Sequence, residues 1–157
     1  MKLHGIGEKI DDEKIIEFEE KINGKLSNEY KIFLMENNGG YLDDYLVTPK
    51  FIEVIPSNSE RYYQSTSPDK FYSLEELLEE YEDNLDDQVL PDNYISIAYD
   101  TGGNQIVMYV ADGEQNGEIY FANHELYDPL TGFWLMTKLS NTFNEFVQSL
   151  HPFEEWY

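Results

Sequence analysis

The sequence has no cysteine, so neither a disulfide framework nor thiol chemistry can contribute to its fold or its activity. It also has no apolar run long enough to span a bilayer. Its first residues, MKLHGIGEKIDDEK, lack the apolar stretch of a signal peptide. We therefore expect a soluble protein of the cytoplasm.

Basic residues are scarce: 10 Lys and Arg stand against 32 Asp and Glu, for a net charge of −22. The imbalance is concentrated in residues 71–157, which carry 1 basic and 18 acidic side chains, and no Lys or Arg lies between Lys70 and Lys138. Such a chain repels nucleic acids and anionic membranes and attracts a basic partner. The same charge would also serve solubility alone.

Apolar residues make up 41% of the 157 residues and aromatic residues 15%. This is enough for one domain over residues 1–157. Helical periodicity predicts a helix over 11–23 and a second one beginning after Ser27. A capping box, Ser73-x-x-Glu76, opens a third helix, and Ser140 is the predicted N-cap of a last one.

Strands are predicted in YLDDYLV and KFIEVIP around Pro49, at 94–99 and 105–110, and in EIYFA. Residues 56–70 are predicted to form a polar loop. Helices and strands in this order indicate an α+β fold: a single domain with a mostly antiparallel sheet flanked by about four helices.

The triplet Asp100-Thr101-Gly102 lies between two predicted strands and is the motif of aspartic proteases. Their mechanism requires two carboxylates that share one proton. The chain has one such triplet, so a two-lobed single-chain protease is excluded and a homodimeric protease is the remaining enzymatic alternative. We interpret the stretch as a Gly-Gly hairpin turn.

Metal and phosphate motifs are incomplete. His124-Glu125 begins like the zinc motif H-E-x-x-H, but Asp128 occupies the position of the second histidine. The run EDNLDDQ lacks the ligand alternation of an EF-hand, and neither NNGG nor TGGN is followed by the lysine of a phosphate loop. We predict no catalytic residue, no metal ligands and no cofactor.

Four blocks in order resemble the SUKH superfamily, of the Smi/Knr cell-wall-assembly-regulator type. They are EKINGKLSNEYKIFLMENNGG, LPDNYISIAYDTGGNQIVMYV, GEIYFANHE and LSNTFNEFVQSL. Together they cover about residues 10–150, which the resemblance implies as the core of a single SUKH-like domain. Ser27 departs from the proline usual at its position, and neither residues 56–70 nor the tail HPFEEWY has a clear counterpart. The resemblance implies a structural role for the family motif residues Asn38, Gly39, Gly40, Gly103 and Asn104.

The resemblance also implies a non-enzymatic function. Bacterial members look like immunity proteins that bind and block a cognate toxin domain, often a nuclease, and the strong negative charge favours a basic toxin. We expect a monomer that contacts neither nucleic acid nor membrane. The alternative is a non-enzymatic regulatory or scaffold module with a cellular protein partner, as fungal relatives suggest.

The candidate partner interface combines acidic side chains with an aromatic one, because aromatic residues supply contact area and carboxylates supply charge complementarity. The alternative for each residue is a solvated surface position. The candidates are Asp43, Asp44, Tyr45, Glu79, Glu80, Glu82, Asp83, Asp86 and Asp87.

Overall fold

The computed structural model describes residues 1–153 of the chain. The helices in this range are α1 (Asp12–Ile22), α2 (Asn28–Glu36), α3 (Leu74–Asp86) and α4 (Phe143–Ser149). The strands are β1 (Leu3–His4), β2 (Gly40–Leu42), β3 (Leu46–Val47), β4 (Phe51–Val54), β5 (Arg61–Gln64), β6 (Pro68–Phe71), β7 (Tyr94–Asp100), β8 (Gln105–Tyr109), β9 (Ile119–Tyr127), β10 (Trp134–Ser140) and β11 (His151–Pro152). None of these helices has the length and apolarity needed to cross a membrane.

Seven of the strands form one sheet in the order β1-β2-β6-β7-β8-β9-β10. Each neighbouring pair in it is antiparallel. Two smaller sheets pair β3 with β11 and β4 with β5. The predicted α+β fold with a mostly antiparallel sheet is therefore confirmed.

Local signals place the helix ends. Asp11 caps α1 by accepting a hydrogen bond from the Lys14 amide (3.1 Å), and Asn23 ends the helix in the left-handed conformation with φ 51°. The predicted capping box of α3 is present, with reciprocal hydrogen bonds between Ser73 and Glu76. The capping box is formed by residues three positions apart, which explains why the sequence predicts it.

Aromatic side chains hold the helices onto one face of the sheet. The ring of Phe33 on α2 packs against Phe71 of β6 and Phe143 of α4, with centroid distances of 5.2 and 4.9 Å. Tyr30 and Phe146 are fully buried beside them. On the opposite face, Val89 and Leu90 of the segment after α3 cover the middle of the sheet.

The prediction of a loop over residues 56–70 is wrong, because this stretch contains β5 and most of β6. The sequence PDKF of β6 is polar and starts with proline, so its local preference does not indicate a strand. It is a strand because it is hydrogen-bonded between β2 and β7. Backbone pairing with neighbours distant in sequence decides its conformation.

The end of the sheet also differs from the prediction. The strand β10 was not predicted, and Ser140 is its last residue instead of the cap of α4. Thr142 is the N-cap, and its side chain accepts a hydrogen bond from the Glu145 amide (3.1 Å). Residues 154–157 of the predicted 1–157 domain lie outside the described residues, and the domain boundaries stay a prediction.

A junction at Asn38 and Gly39 joins three parts of the chain. The Asn38 side-chain amide donates to the Glu8 carbonyl (2.8 Å), and its oxygen accepts from the Leu74 amide at the start of α3 (2.8 Å). The left-handed residue here is Gly39 with φ +75°, whereas the helix C-cap, Asn37, is extended. A Cβ on Gly39 would lie 2.5 Å from the Ser73 amide nitrogen.

The Asp100 carboxylate closes the turn between β7 and β8. It accepts hydrogen bonds from the amides of Gly102 and Asn104 (both 2.9 Å) and from the Thr66 hydroxyl (2.8 Å), and its residue is 8% exposed. Of Gly103 and Asn104, only Gly103 has a positive φ, +86°. The Asn104 side-chain oxygen instead accepts from the His124 amide (3.2 Å). The Asn104 side-chain amide also donates to Asp100 Oδ2 (3.3 Å), whereas the two backbone amides donate to Oδ1, so both carboxylate oxygens serve the turn.

We predict that Gly39→Ala destabilises the protein by more than about 2 kcal/mol, because the substitution adds a backbone clash to left-handed strain. Gly132→Ala is the matched control, since Gly132 has a similar φ of +78° but no atom within 4 Å of the added Cβ. It should cost only about 1 kcal/mol. Urea unfolding measures both, and equal losses would contradict the clash.

We predict that Asp100→Asn lowers the free energy of unfolding by about 2 kcal/mol, because an amide replaces one acceptor oxygen with a donor that faces the donors of the turn. Thermal or urea unfolding measures the change. Unchanged stability would show that the turn does not depend on the carboxylate.

A peptidase assay on the wild type at about pH 4–5 tests the protease alternative directly, and an inactive wild type would rule that alternative out.

Candidate protein-binding surface

The first group of predicted interface residues follows β2. Asp43 lies 2.5 Å from His4 across the β1–β2 edge (Oδ1 to Nδ1). Tyr45 is 62% exposed, and its ring packs against Phe153 with a centroid distance of 6.1 Å. Asp44 is exposed. This group presents carboxylates and an accessible aromatic pair at one end of the sheet.

The second group lies on α3. The helix carries seven acidic side chains and no basic one over Leu74–Asp86. Leu74, Leu77 and Tyr81 are buried on its inner side. Of the predicted interface residues that follow Leu78, Glu80 is partly buried, and the others are exposed: Glu79, Glu82, Asp83, Asp86 and Asp87.

The structure does not bring the two groups together. Gly40 is opposite Phe71 and Tyr41 is opposite Lys70 in the antiparallel β2–β6 pair. Residues 43–45 therefore lie toward the Pro68 end of β6, whereas α3 starts beyond its other end. One flat contact with a small partner would engage one group or the other.

The acids of α3 repel one another at helical spacing. Glu75 and Glu79, and likewise Glu79 and Asp83, are four residues apart, and each such like-charge pair costs about 0.2–0.5 kcal/mol. Asp86 and Asp87 stand at the C-terminal end of the helix, where the helix dipole disfavours negative charge. A cationic partner would relieve both effects.

Burial, followed by the charges of Asp83, Glu76 and Glu79, raises the pKa of Glu80. The opposite holds for Glu76. Although burial acts to raise the pKa of Glu76, hydrogen bonds from Lys70 and Ser73 outweigh it and lower that pKa. Of Glu76 and Glu80, Glu80 is therefore the one whose negative charge is disfavoured by its surroundings.

The two lysines that bound the cation-free stretch of the sequence are both paired with glutamates. Lys70 Nζ lies 2.6 Å from Glu76 Oε2, and it also stands 5.0 Å above the Tyr41 ring centre. Lys138 pairs with Glu118. These ion pairs leave the exposed acids of α3 without a compensating lysine from the sheet.

A cleft of about 530 Å³ separates α1 from α3 and was not predicted. Phe18, Leu74 and Leu78 supply apolar lining, and the segment 7–10 with Asn38 borders the cleft. Its lining charges are Glu8, Lys9, Lys14, Glu17, Lys21, Glu75, Glu79 and Glu82. The sequence signal was the spacing of Lys14, Glu17 and Lys21 along one face of α1, but nothing local shows which helix this face meets.

Fold and surface together define a class: an α+β domain built on a seven-stranded antiparallel sheet, with an acidic helix and an adjoining cleft. Residues 9–149 match the SMI1 / KNR4 family (SUKH-1). The chain belongs to this family, and the resemblance found in its sequence is confirmed. A similar protein is the SPbeta prophage-derived uncharacterized protein YokK of Bacillus subtilis (strain 168). It is 32% identical over 155 residues, covering 88% of this chain and 73% of the relative.

We predict that Glu80→Gln raises stability at neutral pH. A carboxyl group whose folded pKa is raised destabilises the folded state above that pKa, and this cost vanishes below the ordinary value of 4.5, where both states are protonated. The midpoint of thermal unfolding should therefore rise at neutral pH and match the wild type in acid. Glu114→Gln, at an exposed position outside α3, is the control. A lower midpoint at neutral pH would contradict the prediction.

Proposed function

We propose that this protein is an immunity protein that binds a basic toxin domain in the cytoplasm and neutralises it without catalysis. The observation that carries the proposal is the acidic surface of α3, which bears seven acids and no base. Its like charges and its acidic C-terminal end cost folding stability. A surface that lowers the stability of the free protein is expected at a functional site, and a partner of opposite charge that covers α3 would remove the repulsion.

Two further observations support the proposal. Membership of the SMI1 / KNR4 family is compatible with a binding function. The prophage origin of the similar Bacillus subtilis protein is compatible with a toxin and immunity pair. The net charge of −22 favours a basic partner, and nuclease domains are basic because they bind phosphates.

Binding would neutralise the toxin in two physical steps. The negative field of the chain speeds encounter with a positively charged partner. The exposed carboxylates of Glu79, Glu82 and Asp83 then occupy cationic groups that the toxin uses for its own substrate. The group at 43–45 adds Tyr45 as an aromatic contact if the partner reaches the other end of the sheet.

The direct test is coexpression with the product of the neighbouring gene, scored by rescue of growth and by copurification. We expect both. The immunity function is wrong if the neighbouring gene encodes no toxin and its product neither binds this protein nor is inhibited by it. A partner among cellular regulatory proteins would then favour the regulatory or scaffold alternative.

We predict that the association rate with the toxin falls at least about tenfold between about 50 mM and about 500 mM salt, because salt screens electrostatic steering. Stopped-flow fluorescence or biolayer interferometry measures this rate. Glu82→Gln with Asp83→Asn should flatten the salt dependence. Asp112→Asn with Glu114→Gln removes the same charge at exposed positions outside α3 and should flatten it less. A rate independent of salt would contradict steering.

A further inference from the structure

The cleft between α1 and α3 has walls of regular helical spacing. On α1, Lys14, Glu17 and Lys21 are separated by three and four residues. On α3, Glu75, Glu79 and Glu82 are separated by four and three. The first and last residues of each row are seven positions apart, or about 10 Å at 1.5 Å per residue. The cleft is thus bounded by two rows of side chains, each two helical turns long.

The two walls differ in charge. The α1 wall carries two lysines and one glutamate, and the α3 wall carries glutamates alone. Lys9 adds a third lysine to the lining, so this cleft holds 3 of the 10 basic residues of the chain. Although the chain has a net charge of −22, side chains of both charges line this cleft.

The opposite charges of the two walls do not neutralise each other. Within residues 1–153, the ion pairs closer than 4.0 Å involve His4, Lys31, Lys70 and Lys138, and none involves Lys14, Lys21 or the three glutamates of the α3 wall. Ile10 and Leu78, both partly exposed, supply the accessible apolar lining, whereas Phe18 is only 3% exposed and belongs to the core. A ligand with apolar groups between flanks of opposite charge would satisfy both walls at once.

An α-helix is the ligand that fits these walls. Both are built from helix side chains, so they offer no row of free backbone groups to pair with an added strand. A helix satisfies its own backbone and projects side chains at three- and four-residue spacing. This spacing matches that of the two walls.

We infer that the α1–α3 cleft is the docking site for an amphipathic helix of the protein partner. Its apolar stripe would lie over Ile10 and Leu78, its basic flank along the glutamates of α3, and its acidic flank along Lys14 and Lys21. The inference rests on the proposed function for the existence of a basic partner. The lysines set the orientation of that helix, because a reversed helix would bring like charges together.

The decisive variant is Lys14→Glu with Lys21→Glu, measured by calorimetry against the purified product of the neighbouring gene. It makes the protein more negative, so general attraction to a basic partner alone would strengthen binding. Docking in the cleft predicts the reverse: affinity falls at least about tenfold, since acidic groups of the helix then face new carboxylates. The control, Lys2→Glu with Lys25→Glu, changes charge equally outside the cleft and should not weaken binding.

Each outcome has a distinct meaning. If the α1 variant binds as well as the control, the cleft inference is overturned while the immunity function stands. If the wild-type protein does not bind the product at all, the immunity function fails. Thermal unfolding of each variant shows whether it is folded at the temperature of the binding measurement, and the substituted lysines are exposed, so none belongs to the core.

A second measurement tests the cleft without the toxin. The probe is a synthetic amphipathic helix with a leucine stripe, lysines on one flank and glutamates on the other, titrated into isotope-labelled protein. Chemical-shift changes should centre on Phe18, Leu74 and Leu78 and should be lost in the Lys14→Glu, Lys21→Glu variant. Changes located elsewhere, or none, would overturn the inference.

Discussion

The hydrogen bonds of Asn38 and the close approach at Gly39 are the constraint on which the rest of the structure depends. Through one side chain, Asn38 joins the segment before α1 to the start of α3. Gly39 lets the strand after α2 pass against the backbone at Ser73, where a side chain would clash. This junction fixes where α3 begins relative to α1, and so it fixes one end of the cleft between them.

The acids on α3 show how a stable fold carries an unfavourable surface. Its inner side is held by Leu74, Leu77 and Tyr81, and its first turn by the capping box. These contacts offset the repulsion among the outer carboxylates and the cost of Asp86 and Asp87 at the wrong end of the helix dipole. Stability therefore comes from one side of the helix, while the other side is free to serve a partner.

The candidate surface was predictable only in part. The acids of α3 and the group at 43–45 could be named because charge is a property of single residues. Their separation by the length of β6 could not, since it follows from the register in which Tyr41 pairs with Lys70. The α1–α3 cleft was missed for the same reason: Lys14 and Glu79 are far apart in sequence, and only packing makes them face one space.

The sequence by itself determined the caps at Asp11 and Ser73, the buried stripes of the helices and the net charge, because these depend on contacts within a few residues or on composition. Only the tertiary structure decided that residues 61–64 and 68–71 are strands, that β10 forms one edge of the sheet, and that the Asp100 carboxylate is buried against Thr66. Strand pairing and the use of a buried carboxylate depend on partners distant along the chain, which no local pattern specifies.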